Sequence, residues 1–265
     1  NQIDRICHLA AIYPEAADAD PLMGFNVNAL STVNVLEAAR VCNIDRVVFT
    51  SSIGALAEMT PEHLYPEYKP VGEDYPVYPP AGGVYGAAKV ASEMMGIQYN
   101  RLFGIEFAAL RFAAIYGLGK KAARHGNTNT IWADMVDNAL LGRPTVIEKG
   151  GDELLDMTYS RDVAHSVVLA VTAPKIESPV YHIGSGTSYT IRQYADAIRQ
   201  AVPGAVIDVG GGRDPRGHGP RAYYRMDISL ARKELGYEPQ FDPSAAIKDW
   251  VSWVERLELE PGATY

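Results

Sequence analysis

An α/β fold built on an open, mainly parallel sheet is what this sequence of 265 residues predicts. Three observations carry the prediction. Short β-branched or apolar runs alternate with helical patterns, the order that βαβ units produce. The clearest run, "RVVFTSS" (46–52), is apolar at consecutive positions, as a strand buried on both faces must be. Hydrophobic residues make up 47% and charged residues 21%, enough apolar material for the core of one large domain or of one domain with an appendage.

Taken in order, "RICHLAA" (5–11) reads as a strand with small residues at its C-terminal end. From Asp20 to Arg40, the residues Val27, Leu30, Val33, Leu36 and Ala39 keep a spacing of three on one helical stripe. After the strand 46–52, a helix over 84–102 follows from Val84, Ala88, Ala91, Met95, Tyr99 and Leu102, which step by three or four. "EFAALRF" (106–112) is the next strand. Helices near 129–141 and from Asp162, a strand at "VYHIG" (180–184) and a helix from Thr190 complete the pattern. The stretch 58–83 carries too many prolines for a helix or central strand and reads as a long functional or disordered loop. From about Gly142 the alternation is less regular. We therefore divide the chain into residues 1–142, a partial dinucleotide-binding unit with the reactive residues, and 143–265, mainly a substrate lobe with segments returning to the sheet. The chain opens almost at once on an apolar run, which predicts that strands preceding it are missing from this sequence.

A formal net charge of -8 speaks against a nucleic-acid surface and for small-molecule chemistry. Two cysteines, Cys7 and Cys42, make no disulfide framework, and no residues show metal-ligand spacing, so we expect no metal and a reducing, cytoplasmic setting. No apolar run is long enough for a bilayer, and no leader is visible.

The chemistry points to "GGVYGAAKVASE" (82–93), where Tyr85 precedes Lys89 by four residues. Tyr-x-x-x-Lys occurs three times, against roughly half a match expected by chance, so spacing alone proves nothing. Tyr65 and Lys69 enclose Pro66; Tyr116 and Lys120 enclose two glycines. Only Tyr85 and Lys89 fall on a helical pattern, where residues four apart share a face. A nearby ammonium favours the phenolate, so Lys89 is expected to lower the pKa of Tyr85 and to donate to a ribose. Ser52, at the end of a strand where parallel sheets place ligands, would steady the substrate oxygen. The alternative is a surface Tyr and Lys with a satisfied strand-end serine.

The order of "HLAA" (8–11), "NALSTVNVLEAAR" (28–40), "VVFTSS" (47–52), "EDYPVYPPAGGVYGAAK" (73–89), "LRFAAIYG" (110–117), "YSRDVA" (159–164), "YHIGSG" (181–186) and "DISLARKELGYEP" (227–239) resembles the extended short-chain dehydrogenases/reductases, and more narrowly the NAD-dependent epimerase/dehydratase family. The resemblance covers nearly the whole chain. It implies a Rossmann-type sheet with a smaller C-terminal lobe, and NAD or NADP as cofactor, NAD being favoured. It makes Tyr85 the acid–base residue, Lys89 its partner and Ser52 the substrate hydroxyl. Leu9, Ala10 and Ala11 would line the cofactor by their backbone, with Asn28 beneath and Ala113 beside the nicotinamide. The family's glycine-rich loop would lie ahead of Asn1; "GGGR" (210–213) has neither its position nor its spacing.

Two departures bear on substrate. Nucleotide-sugar members usually carry Asn where this chain has Ala114, and a diphosphate-gripping Arg where it has Leu155. Arg213, Arg216 and Arg221 are the residues that would compensate. The reading is hydride transfer at a carbinol carbon of a sugar or sugar-derived compound. The alternatives are a dehydrogenase or reductase of a non-nucleotide hydroxy or keto compound and a catalytically silent binding module. Met94, Met95, Ile97 and Tyr99 cannot all face the sheet, which predicts a homodimer through the helices 20–41 and 84–103.

Overall fold

The computed structural model describes residues 3–118, 131–215, 217, 219 and 223–261. In chain order its elements are β1 (Arg5–His8), α1 (Pro14–Ala19), α2 (Pro21–Phe25), α3 (Ser31–Val41), β2 (Arg46–Ser52), α4 (Gly83–Phe103), β3 (Glu106–Phe112), β4 (Ala114–Tyr116) and α5 (Ile131–Leu140). There follow β5 (Thr145–Ile147), β6 (Leu154–Leu155), β7 (Met157–Tyr159), α6 (Ser160–Thr172), β8 (Val180–Ile183), β9 (Tyr189–Thr190), α7 (Ile191–Ala201), β10 (Ile207–Val209), α8 (Ser229–Leu235) and α9 (Pro243–Arg256). The main sheet has the order β1-β2-β3-β8, and every pair in it is parallel.

The apolar runs explain this sheet. Val47 and Phe49 of β2 pack with Phe107 and Ala109 of β3 and with Leu36 of α3; Val48 packs on the opposite face with Leu110, Tyr181 and Ile183. At the base of β2, buried Arg46 donates to Glu106 and to the carbonyls of Ala170, Val171 and Ala173, supplying donors to the C-terminal end of α6. The second lobe has its own core, around Trp132, Tyr159, Tyr194, Ile198, Ile247 and Trp250. Its helix α7 starts with a reciprocal cap between Thr190 and Gln193. Among the described residues, no helix is long and apolar enough to cross a membrane.

Two expectations change. The strand expected over 5–11 leaves the sheet after His8, and Leu9, Ala10 and Ala11 form an exposed loop at its C-terminal end. The single helix expected from Asp20 to Arg40 is broken: α2 ends at Phe25, and a π-helical turn, Asn26–Leu30, inserts before α3. A π turn takes up an extra residue and rotates the helix beyond it. Asn28, Ala29, Thr32, Leu36 and Ala39 are buried, while Leu30 of the expected stripe is exposed. The proline-rich stretch 58–83 is an ordered covering. Met59, Leu64 and Val71 join the core beneath the sheet, and the backbone of Val71 bonds to Arg225 and Asp227 on either side.

Candidate active site

The C-terminal ends of β1, β2 and β3 open onto a cleft of about 420 Å³, lined by Leu9, Ala11, Thr50, Ser51, Tyr85 and Lys89 and, from the far wall, by Ser160 and Val163. Its floor is set by Asn28. The side chain of Asn28 accepts from Ile12 N at 2.8 Å and donates to Ile12 O at 3.0 Å, fixing the loop after β1 through both backbone groups of one residue. The π turn delivers Asn28 to that position. Below it, the Asn28 carbonyl accepts from Thr32 Oγ1 and Ser92 Oγ, and His8 Nε2 lies 3.2 Å from Thr32 Oγ1.

Glycines bring Tyr85 to β2. A Cβ added at Gly86 would lie 2.2 Å from the Gly54 carbonyl oxygen, and one at Gly82 would lie 2.6 Å from it. Only bare backbone lets the first turns of α4 rest on the segment just past Ser52. The helix has no side-chain cap of its own. Instead Asp18 of α1 accepts from Val84 N at 2.9 Å, placing a carboxylate at the positive end of α4.

Ser52 Oγ accepts from Gly54 N at 3.1 Å and hydrogen-bonds to Tyr85, which favours the phenolate. Burial outweighs that bond and pushes the Tyr85 phenol up. Lys89, 1% exposed, donates through Nζ to Thr50 O at 2.6 Å and lies 4.6 Å from the Phe49 ring centroid and 5.3 Å from that of Tyr85. Burial brings its pKa down to about 8, with Glu93 opposing. The expectation that Lys89 lowers Tyr85 is thus corrected. Desolvation governs both groups, so the phenol is protonated at neutral pH and poised to donate.

The two decoy pairs separate as their contexts indicate. Tyr65 is exposed and stands on no helix, and Tyr116 is buried in the second lobe's core; Lys120 lies outside the described residues. Ala113 is buried and lines a separate cavity of about 40 Å³ with Ala114, Leu155, Asp156 and Tyr224. Arg213 is exposed, with its guanidinium 3.2 Å from the Tyr65 ring centroid, and is not among the lining residues of the cleft. Arg216 and Arg221 lie outside the described residues. Sequence reasoning missed Asp18, Gly54 and Glu93. Of these only Glu93 left a signal, falling four residues after Lys89 on the same helical stripe.

The residues present fit the nicotinamide and ribose portion of a dinucleotide. Leu9 and Ala11 of the loop after β1 line the cleft, and the Lys89 ammonium has N–H groups beyond the one given to Thr50. A parallel α/β sheet whose strand ends gather a serine, a tyrosine and a lysine over such a cleft defines a dinucleotide-dependent oxidoreductase fold. The family model described as "NAD dependent epimerase/dehydratase family" matches residues 1–184, and the chain belongs to that family. A UDP-glucose 4-epimerase of Mycolicibacterium smegmatis is 31% identical over 240 residues, covering 89% of this chain and 71% of the relative. A partial consensus L-threonine 3-dehydrogenase structure is 26% identical with a TM-score of 0.76, covering 96% of this chain and 80% of the other. The Thermus thermophilus UDP-glucose 4-epimerase in complex with NAD shares the fold at 24% identity and a TM-score of 0.73, over 94% of this chain and 77% of the other. The protein is accordingly an NAD(P)-dependent enzyme of the epimerase/dehydratase type, which transfers hydride at a carbinol carbon. The catalytically silent reading is set aside.

Proposed function

We propose that Tyr85 is the general acid–base residue, Lys89 its cationic partner and Ser52 the hydroxyl that orients the substrate oxygen, on a sugar or sugar-derived substrate. One observation carries this: of three Tyr-x-x-x-Lys spacings, this one places its lysine and tyrosine together in the cleft beside a strand-end serine. When bound, the cofactor supplies or accepts the hydride at nicotinamide C4. Leu9, Ala10 and Ala11 would hold it by backbone and Lys89 through the ribose, with Ala113 as the candidate beside the ring; Asn28 supports the loop from beneath. In reduction Tyr85 gives its proton to the nascent alkoxide. In oxidation the phenolate form takes the carbinol proton, and the hydrogen bond from Ser52 favours that form.

A second reading, a dehydrogenase or reductase of a non-nucleotide hydroxy or keto compound, is favoured by Leu155. Where a diphosphate-binding arginine would stand, this residue is 3% exposed and packed in the second lobe's core. The L-threonine 3-dehydrogenase likeness points the same way. On either reading Arg213, Arg216 and Arg221 are our candidates for an anionic substrate group. We read residues 1–142 as a partial cofactor unit, with Tyr116 and α5 packed into the second lobe's core, and 143–265 as mainly the substrate lobe, in a cytoplasmic homodimer that binds no nucleic acid. Tyr85→Phe tests the assignment: turnover should fall by ~10² to 10⁴ with cofactor affinity little changed. Tyr65→Phe and Tyr116→Phe are the controls. Near-full turnover in Tyr85→Phe would remove Tyr85 from the mechanism.

A further inference from the structure

The polar stripe of α4 does not end at Lys89. One turn on, Glu93 has a fully buried side chain whose carboxylate holds two neighbours. Ser51 Oγ donates to Oε1 at 2.5 Å; Arg111 donates from Nε to Oε1 at 2.9 Å and from Nη2 to Oε2 at 2.7 Å. Sheet register explains the convergence. Ser51 of β2 is opposite Arg111 of β3, which is opposite His182 of β8, so the three side chains share a row on one face.

The row is closed at its far end. His182 Nδ1 lies 3.0 Å from Val71 O, and a carbonyl only accepts, so Nδ1 carries the proton and Nε2, 3.4 Å from Arg111 Nη1, is the acceptor. Burial and the Arg111 charge push the His182 pKa down to about 3, so this imidazole is neutral and adds no cation to the row.

A pair this deeply buried is poorly explained by stability. Desolvation offsets most of its Coulomb attraction, and two apolar side chains fill such a space at little loss. What the pair does is join the end of β2 to α4 at a third point. Thr50 gives its carbonyl to Lys89, Ser51 its hydroxyl to Glu93, and Ser52 lies against Tyr85. Three consecutive strand residues thus meet three helical residues spaced by four. The charged and titratable groups around Lys89 are Glu93 and Tyr85 on its own helix and His8 from β1, whose imidazole burial and the Lys89 charge push down.

We infer that Glu93 is a positioning residue for the acid–base pair: anchored by Ser51 and Arg111, it fixes the end of β2 against α4 and sets a carboxylate beside the Lys89 ammonium. The inference rests on the reading of Tyr85 and Lys89 given above. Because Glu93 favours the charged form of Lys89, its loss lets the ammonium deprotonate at lower pH.

The test uses the full-length protein and reads the lysine Cε resonances by ¹³C NMR against pH without substrate, beside the pH profile of kcat. Glu93→Gln should lower the Lys89 midpoint by about one pH unit and move the alkaline limb of kcat down with it. At pH 8 kcat should fall about fivefold while substrate KM holds. The paired variant Glu93→Leu/Arg111→Met removes both charges of the pair together and should show the same midpoint shift. Glu106→Gln weakens the half-buried pair that Glu106 of β3 makes with Arg46 of β2 and should lower the melting temperature without moving Lys89. Ser51→Ala keeps both charges and should cost several-fold in kcat. A Lys89 midpoint unmoved in whichever Glu93 variants fold, or wild-type kcat in Ser51→Ala, overturns the inference. Failure of the acid–base reading shows separately, as turnover retained by Tyr85→Phe, because the Lys89 titration needs no turnover.

Discussion

Replacing Lys89 by methionine should leave a protein that is inactive yet less destabilised by its active site, and the gain should depend on pH. The side chain is 1% exposed, and burial brings its pKa from 10.5 to about 8. Between those values the unfolded chain binds more protons at this site than the folded one, so stability rises with pH across that window. Below pH 8 the folded protein carries the full cost of a buried ammonium. A displacement of this size corresponds to about 3 kcal/mol at pH 7, shrinking to about 1 kcal/mol by pH 10. Methionine fills similar space but leaves the Thr50 carbonyl without its donor, a loss of about 1–3 kcal/mol that pH does not alter. The quantity to measure is therefore the change in the stability difference between Lys89→Met and the parent protein. Urea unfolding followed by circular dichroism at pH 7 and pH 10 supplies it, since the other titrating groups are common to both proteins. The advantage of the variant should fall by about 2 kcal/mol across that interval. Equal pH dependence in the two proteins would refute the reasoning, because Lys89 would then titrate alike folded and unfolded.

Three further outcomes rest on the same geometry. Gly86→Ala drives a methyl to 2.2 Å from the Gly54 carbonyl oxygen, so α4 must lift away from β2; kcat should fall about a hundredfold, and wild-type turnover would show the close approach to be incidental. With Leu155 buried at the second cavity, calorimetry with UDP- and dTDP-sugars should show weak or no binding, and micromolar affinity for any of them would overturn that expectation. On α2 and α4, Leu22, Phe25, Met94 and Leu102 are exposed, while Met95, Ile97 and Tyr99 are half-buried. Light scattering should find a dimer that Met94→Glu dissociates, and a monomer at micromolar concentration would sink the dimer.

Much of the frame was legible in the sequence, and for a physical reason. Strands 46–52 and 106–112 match their expected bounds because a strand buried on both faces must be apolar at consecutive positions. The helix under Tyr85 was legible because a 21-residue element repeats its period often enough to be unambiguous. The π turn was not. Its cause is tertiary: Asn28 reaches both backbone groups of Ile12, sixteen positions away, and no local period encodes that demand. Nor was the direction of the Tyr85 pKa, because spacing shows that Lys89 is near but not that both groups are desolvated.

Glu93 and Arg111 illustrate the remaining gap. Each alone looks like a solvated charge, and Arg111 even sits within an apolar strand pattern. Only the parallel register, which sets Ser51, Arg111 and His182 side by side, turns them into one buried row beneath α4. A sheet face that spends core positions on serine, arginine and histidine gives up apolar burial there, and buried Lys89 adds a further cost. Such local violations of the packing rules cluster at functional sites in folds that are otherwise consistent. Here both meet at the end of β2, where Thr50, Ser51 and Ser52 face the same helix. The stability given up at that strand end and the geometry that acid–base chemistry needs are therefore two aspects of one arrangement, and variants that restore the first should degrade the second.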